Sequence, residues 1–225
     1  NNPDMPERDR FVLSKGHCAP GLYSVLSQYG FFNTEELKSL RHIGALLQGH
    51  PCIHIPGVDM SSGSLGQGIS VACGMALAGK IDNADYKVYC ILGDGELQEG
   101  QIWEAALFAN HHKIDNLIAT VDYNGKQIDG PVDEVMTLGN LRAKWESFGW
   151  KVLEMNGNEM ADLVKVINEA KALTRKGSPI VILMKTEMGM GVDYMMGTHK
   201  WHGSAPNDEQ LESALNQLEE TLGDF

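Results

Sequence analysis

Between residues 87 and 222 the chain switches repeatedly between two hydrophobic patterns, and this alternation most limits the folds open to it. Residues 87–92 (KVYCIL), 116–122 (NLIATVD), 150–155 (WKVLEM) and 179–185 (PIVILMK) are short runs rich in apolar and β-branched residues, read as strands. Between and after them, 99–112, 138–148, 160–175 and 208–222 carry apolar residues at helical spacing. Strands alternating with helices of this length predict an α/β fold: a mostly parallel sheet covered by helices on both faces. Upstream, 21–30 (GLYSVLSQYG) reads as a helix, and Asn33-Thr34-Glu35-Glu36 opens a short capped one. Residues 43–64 are loop-like. A run of small residues over 65–80 predicts a smooth helix that packs closely against a sheet, another helix or a ligand. The opening NNPDMPERDR is polar and reads as a connector, with an earlier element expected upstream.

With 225 residues, 43% of them hydrophobic, the chain can build one good core. A formal net charge of -12 argues against nucleic-acid and membrane-surface partners, which are themselves anionic. It leaves room for a small anionic ligand, because a metal ion or backbone dipoles can reverse a local field. Cys18, Cys52, Cys73 and Cys90 form no Cys-x-x-Cys pair and read as reduced thiols. No signal peptide is visible and the apolar runs are strand-length, so a cytoplasmic location is expected.

In parallel sheets ligands bind beyond the carboxyl ends of the strands. That rule selects the loops 93–99, 123–131 and 187–205. The first, within GDGELQEGQ (93–101), has the glycine-rich form of a phosphate-receiving turn, yet it carries Asp94, Glu96 and Glu99 and no basic residue. Gly93 and Gly95 allow close backbone approach, while the Asp94 carboxylate would repel a phosphate unless a divalent cation lay between them. The second loop offers a matching oxygen ligand in Asn124, thirty residues on (124 − 94 = 30), about one strand–helix–strand unit. Taken singly, Gly-Asp-Gly and Asn-Gly are common turns. As a pair, each after a buried strand, they point to a cation–phosphate platform.

This pair, with DRFVLSKGH (9–17), LQGHP (47–51), GSLGQGISVACGMALA (63–78), GDGELQEGQIWEA (93–105), VDYNGKQIDG (121–130), KTEMGMGVDY (185–194) and HKWHG (199–203), resembles the transketolase family. The match is to its diphosphate-binding part. It implies residues 1–225 as a single diphosphate-binding domain and the N-terminal subunit of a split transketolase, acting with a separate chain that carries the pyrimidine-binding and C-terminal domains. It also implies an upstream Ser-Gly-His-Pro segment. The implied activity is transfer of a two-carbon ketol unit between sugar phosphates in a homo-oligomer or heterotetramer, using thiamine diphosphate and Mg²⁺ or Ca²⁺. Carried over by position, Asp94, Asn124 and the main-chain carbonyl of Lys126 match the metal ligands; lysine departs from the apolar residue usual there. Gly93 and Gly95 match the turn under the diphosphate, Gly63 and Leu65 the contacts to the aminopyrimidine, and Ile128 an apolar contact to the thiazolium. His17, His50 and His202 match catalytic histidines, two of which, His17 and His202, also lie near the diphosphate. Glu99 matches a residue at the subunit interface coupled to the partner's activating glutamate. Read without the resemblance, Glu99 is simply an acid favoured by a helix N-terminus.

Other residues receive plainer readings. His42, His54, His111 and His112 read as surface or satisfied core histidines. His199 with His202, and His50 with Cys52 and His54, lack the ligands of a complete zinc site. Glu96 is expected to be solvated. Trp103, Phe108, Trp145, Phe148 and Trp150 read as core, the last helix as a solvated face, and Met188, Met190, Met195 and Met196 as apolar surface facing a partner. Three alternatives stay open: a 1-deoxyxylulose-5-phosphate synthase or 2-oxo-acid dehydrogenase component, a non-catalytic binding protein, and, on the aspartate–metal logic alone, a metal-dependent phosphohydrolase. The GSLGQG and QGHP stretches favour transketolase over the first.

Overall fold

The computed structural model describes residues 5–218. In chain order it forms β1 (Arg10–Leu13), α1 (Ala19–Gln28), α2 (Gly68–Ile81), β2 (Val88–Gly93), α3 (Gly100–His111) and β3 (Leu117–Tyr123). Two-residue strands β4 (Lys126–Gln127) and β5 (Gly130–Pro131) and the short α4 (Val132–Met136) follow. The chain then adds α5 (Leu141–Ser147), β6 (Lys151–Asn156), α6 (Met160–Leu173), β7 (Ile180–Lys185) and α7 (Asp208–Gln217). Strands β1, β2, β3, β7 and β6 lie side by side in that order, every pair parallel. The expected mostly parallel α/β sheet is present.

Period-two alternation divides the side chains between two cores. Val88, Cys90 and Leu92 of β2, Ala119 and Val121 of β3, and Val181 and Leu183 of β7 join the larger cluster with α2, α3 and α5. Ile118, Ile180 and Ile182, one residue out of step, face the opposite side and pack with Val166 and Ala170 of α6. The small residues of α2 have a definite use. A Cβ on Gly68 would lie 2.4 Å from the Ser14 Oγ, and one on Gly79 would lie 2.7 Å from the Tyr86 ring, so α2 sits close against β1 and β2.

Several boundaries differ from the sequence reading for local reasons. The helix expected over 65–80 starts at Gly68, because Gly66 has φ +82°, outside the right-handed helical region. The helix expected over 138–148 contracts to Leu141–Ser147: Gly139 has φ +59°, and the Asn140 side chain caps the Ala143 N–H. A capping box between Asn207 and Gln210 opens the last helix, and positions 219–222 of its expected span lie outside the described residues. Strand β1, the β4–β5 hairpin and α4 carry too few residues to show a period and were not foreseen. Phe108 is corrected: expected in the core, it is 40% exposed on the outer side of α3. Trp145 and Trp150 are buried as expected, with Trp103 and Phe148 packed partly buried beside them.

Trp145 is fully buried, and its ring centroid lies 5.2 Å from Trp103 and 4.9 Å from Trp150, but its indole N–H has no partner. Trp145→Ala should therefore cost about 3–5 kcal/mol of stability through the cavity it leaves. Trp145→Phe, which also removes the unpartnered N–H, should cost less than half of that; urea denaturation of the three proteins checks the order.

Candidate functional site

The site forms where the parallel register brings three strand ends together. Gly93 of β2 stands opposite Asp122 of β3, and Tyr123 opposite Lys185 of β7. Beyond β2 the chain turns at once, and Asp94 caps a short 3-10 turn over Gly95–Gln98. Its carboxylate accepts from the Gly95 N–H at 2.8 Å and, across the strand ends, from the Gly125 N–H at 2.6 Å. Beyond β3, the Asn124 side-chain oxygen accepts from the Lys126 N–H at 2.9 Å. A Cβ on Gly95 would come within 3.1 Å of the Gln127 side chain, so the two turns cross closely here.

Asp94 and Asn124 line one cavity of about 220 Å³, and of the other residues singled out from the sequence Leu65, Gly93, Gly95, Lys126, Ile128, His17, His202 and Glu99 line it too. Ile128 stands at its mouth, 65% exposed. Glu99 packs its stem on Gly66, where an added Cβ would lie 2.8 Å away. Two of the sequence-selected residues stand outside this cavity. His50 is exposed, and Gly63 lies against its ring, with a Cβ position 3.2 Å from the imidazole. The rings of His17 and His202 meet at 5.2 Å between centroids. They also line a second cavity of about 360 Å³ that shares Lys15 and Asn124 and extends to Glu187 and Trp201.

Three participants were missed in the sequence. Glu96, expected to be solvated, is corrected: it is 2% exposed. Its carboxylate accepts from the Ser14 hydroxyl, from the Gly66 N–H at 2.9 Å and from the Gly93 N–H at 3.0 Å. One buried acid thus ties the end of β1, the loop before α2 and the turn after β2. The only hint in the sequence was its place inside a turn already crowded with acid. Lys15 is the second, a buried ammonium paired with Asp122, whose other oxygen accepts from the Thr186 hydroxyl. Asp122 is the third. Both lay within stretches quoted for their neighbours, and only the fold brings them together across a separation of 107 positions.

Burial and these neighbours set the protonation states. Burial pushes the Asp94 carboxyl up to about 6, against the opposing pull of the Gly125 and Gly95 N–H groups. Burial raises Glu96 as well, with its three hydrogen bonds working the other way. For Lys15 burial acts to lower the pKa, but the Asp122 carboxylate and Cys18 outweigh it and the net direction is up. His17 is lowered to about 4, first by burial, then by the charges of Lys15, His202 and His50. His202 is lowered by burial and then by Lys15. Both imidazoles are therefore neutral near pH 7, each with one donor and one acceptor nitrogen.

A parallel α/β sheet with a carboxylate and an amide at adjacent strand ends, sharing one cavity with a pair of histidines, has the layout of a ligand-binding α/β domain. Residues 1–222 match the family described as "Transketolase, thiamine diphosphate binding domain". The chain belongs to the transketolase family, and what it contributes is the thiamine-diphosphate-binding domain. It is 46% identical to a subunit of the apulose-4-phosphate transketolase of Phocaeicola vulgatus, over 98% of this chain and 79% of that protein. It is 43% identical to the 6-deoxy-6-sulfo-D-fructose transketolase subunit of a Clostridium species, over 97% of this chain and 79% of that one. Against the transketolase of Homo sapiens the identity is 41% over 96% of this chain but 34% of the human protein. The crystal structure of Campylobacter jejuni transketolase superposes with a TM-score of 0.90 at 36% identity, covering 96% of this chain and 35% of that one. The chain thus spans most of the length of relatives named as transketolase subunits and about a third of the human transketolase.

Glu96→Ala should leave three donors facing a void and destabilise the protein by roughly 3–5 kcal/mol, read from the denaturant midpoint. His17 gives a separate test. Because its folded pKa is depressed, the stability it lends is present above the ordinary histidine range and is lost as the pH falls toward about 4. An NMR titration should show the His17 ring protonating near 4, and Lys15→Gln should move that midpoint upward, since it removes one of the causes.

Proposed function

We propose that residues 1–225 form one diphosphate-binding domain, the metal- and cofactor-holding half of a transketolase that moves a two-carbon ketol unit from a ketose phosphate to an aldose phosphate. The observation that carries this reading is the single cavity lined by Asp94, Asn124, His17 and His202. The donor set suits a hard divalent cation, Mg²⁺ or Ca²⁺: a buried carboxylate already raised by desolvation, an amide oxygen on the neighbouring strand end, and the Lys126 carbonyl between glycine turns. Gly93 and Gly95 would admit the diphosphate closely, Gly63 and Leu65 would hold the aminopyrimidine, and Ile128 would offer an apolar contact to the thiazolium. Thiamine diphosphate, when bound, supplies the chemistry that breaks and remakes a carbon–carbon bond beside a carbonyl. The neutral imidazoles of His17 and His202, with the exposed His50, would accept and return protons at the sugar oxygens.

A partner chain with the pyrimidine-binding domain completes the site, and Glu99 at the cavity edge faces it. This fits the relatives that are named as transketolase subunits and are matched over most of their length. Those relatives are named for sugars bearing a phosphate or a sulfonate, and a ketose with such an anionic end is the substrate class proposed here. Among the described residues no helix is long and apolar enough to cross a membrane, and all four cysteines are unpaired. A reducing cytoplasmic setting is proposed on the second observation.

Mixing this chain with its partner chain, thiamine diphosphate and Mg²⁺ should give ketol transfer from xylulose 5-phosphate, and either chain alone should give little. Asp94→Ala should weaken Mg²⁺-dependent cofactor binding, measured calorimetrically, by about 100-fold or more. Full activity from this chain alone would overturn the partner requirement. Absence of cofactor binding in every mixture would overturn the function.

A further inference from the structure

Lysine at position 126 departs from the apolar residue that the resemblance leads one to expect, and its side chain shows what it does instead. Its ammonium reaches Glu187, the second residue after β7, at 2.6 Å. The two side chains are 15% and 37% exposed, so the lysine end is largely withdrawn from water while the acid end stays partly open to it. The same Glu187 oxygen accepts from the Gly197 N–H at 2.8 Å. The backbone N–H of Glu187 in turn donates to the Asn158 side chain at 2.7 Å, which fixes the acid against the end of β6. Glu187 therefore joins the turn after β3 to the middle of the loop that carries Trp201 and His202. Among the described residues no other hydrogen bond runs between positions 187–205 and the 124–131 turn, where Ile128 also lies near Gly203. The pair also bridges the two cavities: Lys126 lines the first, Glu187 the second, and His202 lines both.

We propose that Lys126 and Glu187 are a positioning pair: their ion pair clasps the His202 loop to the turn that holds the metal and diphosphate, so that His202 keeps its place beside His17. The inference rests on the proposed function for its catalytic consequence, but the clasp itself is a property of this chain. Substitution of the lysine side chain leaves the Lys126 carbonyl in place, so any metal ligand there is retained.

The test uses hydrogen exchange of the Gly197 and His202 amides in Lys126→Met, Glu187→Gln, the double variant and Lys126→Arg, followed by kinetics with the partner chain. Each of the first two should speed exchange across 195–202 about tenfold, the size expected for loss of one charge-assisted hydrogen bond. The double variant should be no worse than Glu187→Gln, and Lys126→Arg should restore slow exchange. In the assembled enzyme kcat should fall about tenfold in Lys126→Met while KM changes less than about threefold. Unchanged exchange in both single variants, or additive effects in the double, would overturn the clasp. If exchange responds as stated but neither wild type nor variant transfers ketol units, the function fails and the clasp stands. If exchange and wild-type activity behave as stated but kcat is unmoved in Lys126→Met, the positioning role is overturned.

Discussion

The contact between the Asp94 carboxylate and the Gly125 N–H, 2.6 Å across the ends of β2 and β3, exists only because the two strands run parallel in a fixed register. An antiparallel pair would send the loop after each strand to opposite edges of the sheet. Parallel strands place both turns at one edge, one strand spacing apart, and there a carboxylate on the first can satisfy an amide on the second. The close approach of the turns, the burial of Asp94 and the shared cavity with Asn124 follow from this. β7 extends the same edge, so the loop that carries His202 opens beside β3. β1, on the other side of β2, brings Lys15 and His17 from the far end of the sequence. The whole site is a consequence of one sheet polarity.

What could be read from the sequence divides along the same line. Element type and order were legible wherever a segment was long enough to show a period: the strands at 88–93, 117–123 and 180–185 and the amphipathic α6 needed no tertiary information. The Asp94–Asn124 pair was legible because each residue directly follows such a strand. Lys15–Asp122 and the three contacts of Glu96 were not, since each joins segments whose proximity only the register creates. Glu96 misled for a clear reason: an acid between a glycine and a leucine in a polar turn is ordinarily exposed, and nothing local shows three donors converging on it. Phe108 misled in the opposite sense. Helical spacing places it on an apolar stripe of α3, but the face it occupies points away from the sheet.

The electrostatics invert at the local scale. A chain with a net charge of -12 would repel a diphosphate at long range. At the strand ends three acids are committed: Asp94 to two amides, Glu96 to two amides and a hydroxyl, Asp122 to the Lys15 ammonium and the Thr186 hydroxyl. The Lys15 ammonium in turn acts on both His17 and His202 and lowers each. One ion pair therefore has two effects. It neutralises an acid at the end of β3, and its positive member adds to burial, the larger cause, in holding two imidazoles in the uncharged form that can both give and take a proton.

Burial across the site is graded, and the gradient separates two tasks. Asp94, Glu96 and Lys15 lie within the protein, at 2%, 2% and 8% exposure, and they hold their geometry through bonds that this chain supplies by itself. Glu99, His50 and Ile128 are exposed. A rigid inner wall suits the anchoring of a cation and a diphosphate, for which a misplacement of about an ångström is costly. An exposed outer edge suits a surface that another protein surface closes over, because water is then expelled only after the pieces meet. Division of such a site between two chains, as proposed, would therefore leave the anchor preformed in this one and place the exclusion of water at the contact between them.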